Sequence, residues 1–248
     1  MYKSLITKLT NQINQHSNPA EKSWFENYIK NSAPFRGVKM PVVRKELHKW
    51  HKDYIDGEMD LDQQLDLAFA LIEEKYTEDK IAGTMFMQEI LIPKGIMKPK
   101  RNIKRLSELF SNGHIYDWNV CDWFCMKVLG ELIVKDEKYW ARPIHMWHSA
   151  ENLWQARASL VSFERVSDNQ DYFSMIEKSC KKLIKREERF AKTAVGWLLR
   201  EISKQDEDFV KQFIEHHIKH FTAETIRNAL KYSSKDEKKH YLTLLKSV

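Results

Sequence analysis

The sequence predicts an all-α protein, and three observations carry that prediction. Glycine and proline, 7 and 6 residues of 248, are together about half as frequent as the roughly 12% of average proteins. Apolar residues recur at helical spacing almost everywhere, and the alternation of a half-buried strand appears almost nowhere. Leu, Ile, Lys and Glu are abundant, which favours helices joined by short connections.

In chain order, periodicity places helices at about 3–16, 20–31, 41–53, 61–74, 77–91, 100–111 and 118–134. It continues with 136–148, 150–166, 170–185, 187–203, 206–218, 222–231 and 234–246. Pro41 suits the first turn of the third helix, where its missing N–H has no partner to lose. Pro93, Gly95 and Pro99 mark the clearest break, a short loop rather than a domain linker. Asp117 stands where the helix over 118–134 needs an N-cap. Pro143 sits early in its segment and should bend or restart that helix. Gly196 lies mid-helix at a cost of about 1 kcal/mol relative to alanine, which points to close packing or clearance beside Trp197.

Helices of this length and connection fit an irregular bundle or a solenoid of antiparallel pairs. Trp118, Trp154 and Trp197 are 36 and 43 residues apart, near the roughly 40–47-residue period of HEAT and armadillo repeats. Strict internal repetition is not visible, so spacing alone leaves both architectures open. A solenoid would gather residues from successive repeats on one concave face.

Net charge is +6 and the isoelectric point about 9.0, which admits an anionic partner. With 31% charged residues of both signs, an ordinary helical surface would look the same. The basic excess is concentrated in "KGIMKPKRNIKR", 94–105, with six cations and no acid. Lys100, Arg101, Lys104 and Arg105 are therefore candidates for phosphate contact, against the ordinary reading of a solvated face. Cys121, Cys125 and Cys180 have no framework spacing and read as reduced, buried thiols. The start lacks a signal-peptide core, and no run of about 18 apolar residues could span a membrane. A soluble intracellular protein is expected, cytoplasmic in a bacterium and possible in a eukaryotic nucleus.

Three clusters carry candidate chemistry. In "DWNVCDWFC", 117–125, Trp118 and Asp122 are four apart and share a helical face. Trp123 points elsewhere, into the expected core. From position alone, Asp122 reads as an early-helix acid favoured by the helix dipole. In "ENLWQARASLVSFERV", 151–166, Arg157 lies along a partly apolar stripe. It either snorkels to the surface or fixes a phosphate or carboxylate. In "RFAKTAVGWLLREISK", 189–204, Trp197 reads by itself as core. His216 and His220 stand at i, i+4, a possible pair that falls short of the four ligands of a zinc site, so no metal site is expected. Cys121 and Cys125 with His114 do not follow a zinc-ligand spacing. There is no glycine-rich phosphate loop, no G-x-S-x-G elbow and no HExxH.

Separated segments, in order across about 28–204, together resemble the AlkD-type family of DNA alkylation repair glycosylases. "YIKNSAPFRGVKMPVVRKEL", 28–47, is similar to the family's Tyr-x-x-Asn … Phe-x-Gly-Val-x-x-Pro-x-x-Arg opening. "WNVCD" is similar to its Trp-x-x-x-Asp, and "NLWQARASL" to its Trp-x-x-Arg segment. "FAKTAVGWLLREISK" is similar to its Lys-Ala-x-Gly-Trp-x-Leu-Arg-Glu signature. One departure is Asn119, where relatives commonly carry an acid; it should tune the site rather than abolish it.

The resemblance implies a single domain over 1–248, built as a right-handed solenoid of HEAT-like antiparallel helix pairs with a basic concave face. It implies excision of N3- or N7-alkylated purines from duplex DNA by a monomer without metal or other cofactor. Asp122 matches the family's catalytic carboxylate, Trp118 and Trp197 its aromatic walls, and Arg157 the arginine that grips the backbone. Tyr28, Lys39, Met40, Pro41 and Arg44 fall where the family's amino-terminal repeat touches DNA. Arg200, within the last signature, is a further DNA-contact candidate.

These residue types suit that chemistry. An alkylated N3 or N7 makes the purine cationic, so the leaving group needs no protonation. Positive charge then develops on the deoxyribose, where a carboxylate stabilises it and orients water. Indole faces attract the same cation, at about 0.5–2 kcal/mol each. Whether the base is flipped or the duplex distorted stays open at this level. The competing class of function is a non-catalytic helical-repeat module that binds nucleic acid or protein.

Overall fold

The computed structural model describes residues 2–135 and 137–247, and every regular element among them is helical. The helices are α1 (Tyr2–Asn14), α2 (Pro19–Tyr28), α3 (Met40–Tyr54), α4 (Leu61–Glu73) and α5 (Thr77–Phe86). Then follow α6 (Pro99–Ser111), α7 (Trp118–Phe124), α8 (Gly130–Lys135), α9 (Glu137–His145) and α10 (Leu153–Val161). The remainder are α11 (Phe173–Leu183), α12 (Arg189–Ile202), α13 (Glu207–His217), α14 (Ala223–Ala229) and α15 (Lys235–Leu244).

The boundaries follow local chemistry. Proline opens α2, α3 and α6 within their first two positions. Asn18, Asp117, Asn152 and Asp206 cap α2, α7, α10 and α13 through side-chain oxygens. Asp60 with Gln63, and Ser234 with Glu237, form reciprocal capping boxes on α4 and α15. The helix expected over 77–91 ends in a wider π turn, Met87–Leu91. A second π turn, Cys125–Leu129, joins α7 to α8 inside the helix expected over 118–134. Pro143 is carried inside α9 rather than breaking it, and a tight 3-10 turn follows at Met146–Ser149. The expected start of that helix, residue 136, lies outside the described residues.

Contacts divide the chain into two compact units, Met1–Glu131 and Leu132–Val248. In the first, α1 packs on α3 and α4, α4 on α5, and α5 on both α3 and α7. Leu9, Ile13, Leu47, Trp50, Leu67, Phe69 and Phe86 are wholly buried there. The Trp50 indole N–H donates to the Leu5 carbonyl at 2.9 Å, so a large apolar ring is buried without stranding its donor. In the second unit, α12 packs on α10, α11, α13 and α14. Gly196 explains the closest of these approaches. A Cβ there would lie 3.0 Å from the Thr225 carbonyl oxygen and 3.2 Å from Asn228 Cβ on α14. The mid-helix glycine is thus spent on helix–helix proximity. All three cysteines are buried and outside any disulfide, and burial pushes the Cys180 thiol far up.

Candidate functional site

Helix α7 separates its residues sharply. Val120, Cys121 and Phe124 are buried, whereas Trp118, Asn119, Asp122 and Trp123 are half-buried and form one stripe at i, i+1, i+4 and i+5. Trp123 therefore does not enter the core as its spacing suggested. It stands one turn beyond Asn119 on the outward side and lines a surface cleft.

Asp117 caps this helix. Its Oδ1 accepts from the Asn119 and Val120 backbone N–H groups at 2.9 and 3.1 Å. It is 1% exposed, and burial pushes its carboxyl above the usual range although those bonds and Lys80 oppose the shift. Lys80, itself buried, donates to the Ile72 carbonyl at 2.9 Å. With Asp117 in the cap, capping does not account for Asp122, which occupies the next turn on the half-exposed stripe.

The aromatic surroundings of Trp118 come from the amino-terminal segment. Trp118, Phe25 and Tyr116 pack against the buried cluster Ile29, Ala33 and Phe35. Tyr28 meets the Trp118 ring edge-on at 5.5 Å. Trp24, one turn before Tyr28 on α2, stacks on it at 5.3 Å with planes 5° apart. Both rings are largely in water, at 58% and 60% exposure. Trp24, Phe25, Tyr28, Ile29, Phe35, Met40, Asn119 and Trp123 enclose a cleft of about 280 Å³.

The loop before α3 is set by buried charge. Glu78, wholly buried in the first turn of α5, accepts from the backbone N–H groups of Arg36, Gly37 and Val38 at 2.9–3.1 Å. The Arg36 guanidinium bonds both carboxylate oxygens of Asp79 and lies 4.1 Å from the Tyr76 ring centroid. Burial still pushes Asp79 up to about 6 against that partner. Gly37 has φ +84°, and a Cβ there would fall 2.3 Å from the Asn18 carbonyl oxygen. This loop delivers Lys39, Met40 and Pro41. Lys39 pairs with Glu21 at 2.9 Å, Met40 lines the cleft, and Pro41 is exposed. Arg44 pairs with Glu89 at 2.8 Å.

The basic run is less free than its sequence implied. Arg101 pairs with Asp62 at 2.9 Å, Lys104 with Glu108 at 3.7 Å, and Arg105 with Asp66 while lying 3.9 Å from the Phe69 ring centroid. Lys100 is exposed, with no ion pair among the described residues.

In the second unit, Arg157 is only 4% exposed. Its Nη1 donates to the Phe190 carbonyl at 2.7 Å and to Thr193 Oγ1 at 3.4 Å, tying α10 to the first turn of α12. It does not snorkel. Trp154 and Phe190 meet beside it at 5.2 Å. Trp197 is half-buried, and its Nε1 is buried without a hydrogen-bond partner among the described residues. Arg200 lies 5.8 Å from its ring centroid and pairs with Glu201 at 2.6 Å.

The first unit thus assembles Tyr28, Met40 and Trp118 with Asn119, which the sequence marked as tuning the site, and with Trp24 and Trp123, two residues that the sequence left out of it. The Trp24–Tyr28 spacing of one helical turn was the available signal. Among the described residues, no three His, Cys, Asp or Glu side chains gather where they could hold a metal ion. None of the helices described is long and apolar enough to cross a membrane.

An all-helical chain that sets a half-exposed carboxylate one turn from an indole is the class of protein at hand. Residues 9–233 match the family model described as DNA alkylation repair enzyme, and the chain belongs to that family. Among solved structures it is similar to a predicted DNA alkylation repair enzyme from Enterococcus faecalis, at 18% identity and a TM-score of 0.74. That likeness covers 89% of this chain and 98% of the other. It is also similar to smu.31 from Streptococcus mutans UA159, at 18% identity and a TM-score of 0.54, covering 91% and 97%. At these identities the likenesses establish the fold. No curated protein matches the sequence.

Proposed function

We propose that this protein is a DNA glycosylase that excises cationic N3- and N7-alkylated purines, such as 3-methyladenine and 7-methylguanine, from duplex DNA. Family membership supports repair of alkylated DNA, and one structural observation carries the finer reading. The acid that caps α7 is Asp117, and a second acid, Asp122, stands one turn from Trp118 on the half-exposed stripe of the same helix.

In this reading the alkylated base departs without a proton donor, because it already carries positive charge. Asp122 opposes the charge that develops at C1′ and orients the attacking water. Trp118 presents its indole to the same cation and keeps bulk water away. The roles proposed for Trp197 and Arg157, an aromatic wall and a backbone grip, are those that the family resemblance implies. The enzyme acts as a monomer without a metal. Neutral lesions such as uracil, which need help with the leaving group, are poor substrates.

The test is release of free base from a duplex carrying 7-methylguanine. Wild type releases it, and Asp122→Asn slows release by about 10²-fold or more while duplex binding persists. No release from any alkylated duplex, or undiminished release by Asp122→Asn, overturns the reading. Persistent DNA binding without release would favour a non-catalytic binding module.

A further inference from the structure

We propose that Trp24, stacked on Tyr28, forms a shelf that receives one unstacked nucleobase of the bound DNA, with Asn119 reading the edge of that base. The proposal rests on the DNA-repair reading above and adds a residue and a ligand group to it.

Helix α2 buries none of its residues, yet it carries Trp24, Phe25 and Tyr28. Two of these rings are more than half exposed, and they lie parallel within 5°. Large apolar rings side by side in water mark a surface that meets a partner. A parallel pair of rings has the geometry that a planar ligand extends by one more layer. The cleft of about 280 Å³ below the shelf continues that surface onto α7 through Asn119 and Trp123. Tyr28 touches Trp118 on the same helix.

Charge selects the occupant. Two of the cations beside the shelf are paired with acids, Lys39 with Glu21 and Lys22 with Glu26. A phosphate would meet those carboxylates, whereas a neutral flat ring would not. Asn119 contributes both a donor and an acceptor to the cleft, the combination that a base edge requires and an ionised acid cannot supply. A nucleobase displaced from its stack has the flat face, the neutral charge and the polar edge that this surface offers. Stacking on an aromatic side chain is also how proteins hold unpaired bases generally.

The experiment uses the full chain and two duplexes of one sequence, each containing 2-aminopurine, either fully paired or as a single-nucleotide bulge. Wild type should bind the bulged duplex more tightly and change the 2-aminopurine emission on binding. Trp24→Ala should cut that preference by about tenfold, within the range carried by one stacked base, and Trp24→Phe should retain most of it. Asn119→Ala should reduce it less. Equal wild-type affinity for the two duplexes, unchanged emission, or a Trp24→Ala loss equal on both duplexes overturns the shelf. Base release from 7-methylguanine duplex is measured beside it. Preference without release keeps the shelf and removes the glycosylase; release without preference does the reverse.

Discussion

The two units support their candidate residues in opposite ways. In the first, the buried acids Glu78, Asp79 and Asp117 hold backbone and Arg36, while Asp122 is half-exposed on the outer stripe of α7. In the second, Arg157 is both a candidate functional residue and a buried strut, bonded to the first turn of α12. On the proposed function, the acid that carries the chemistry differs from the buried acids that hold the first unit together, whereas in the second unit one guanidinium would serve both ends. Substitution should therefore separate chemistry from stability at residue 122 but not at residue 157.

The largest expected effect breaks or confirms that contrast directly. Asp122→Asn should slow base release by about 10²–10³-fold and change unfolding free energy by less than about 1 kcal/mol. Arg157→Ala should lower both activity and stability, the latter by about 2–3 kcal/mol, because a buried charge-assisted hydrogen bond is lost. Denaturant unfolding beside the release assay reads both. If Arg157→Ala proves fully stable, the strut assignment fails.

Glu78→Ala removes the acceptor for three consecutive backbone N–H groups and should cost about 3 kcal/mol or more. Urea titration measures it. A loss near zero would mean that the 36–38 loop holds its shape without the carboxylate.

Acid should probe the second unit by a third route. His145 in the second unit is 6% exposed, and its Nδ1 lies 3.0 Å from Ser179 Oγ. Burial, with His148 and Lys178 nearby, pushes its pKa down to about 4. The unfolded chain then binds a proton that the folded chain refuses, so stability is complete above about pH 6.5 and is lost as pH falls toward 4. The loss is at most about 3 kcal/mol. His145→Gln should flatten the pH dependence of stability between pH 6.5 and 4; an unchanged slope would assign it to other groups.

Gly196→Ala should have the smallest effect. Alanine gains about 1 kcal/mol of helix propensity, while its Cβ meets a backbone oxygen at 3.0 Å. The net change should be a destabilisation of about 1 kcal/mol or less, visible as a small shift in thermal midpoint.

The all-helical fold was legible because period, caps and glycine scarcity agreed throughout. Asp117 as a cap and Gly196 as a packing glycine were legible for the same reason, since local geometry decides both. Trp123 was misplaced because its direction depends on which side of α7 is covered, and that is settled by residues 25–35 rather than by its own spacing. Trp24 carried no signal beyond its one-turn spacing from Tyr28. Its meaning lies in being left exposed, and exposure is a property of the assembled chain. The run 94–105 misled in the other direction. Its cations read as free, but Asp62 and Asp66 of α4 reach Arg101 and Arg105 from some forty residues upstream.

The chain has eight tryptophans, and among the described residues Trp24 is the one that stands mostly in water. Spectroscopically this makes α2 its own label. An indole in water emits further to the red than one in a protein interior, so red-side emission should report chiefly on Trp24. Covering the shelf would then be visible as a blue shift, without a dye or an engineered probe.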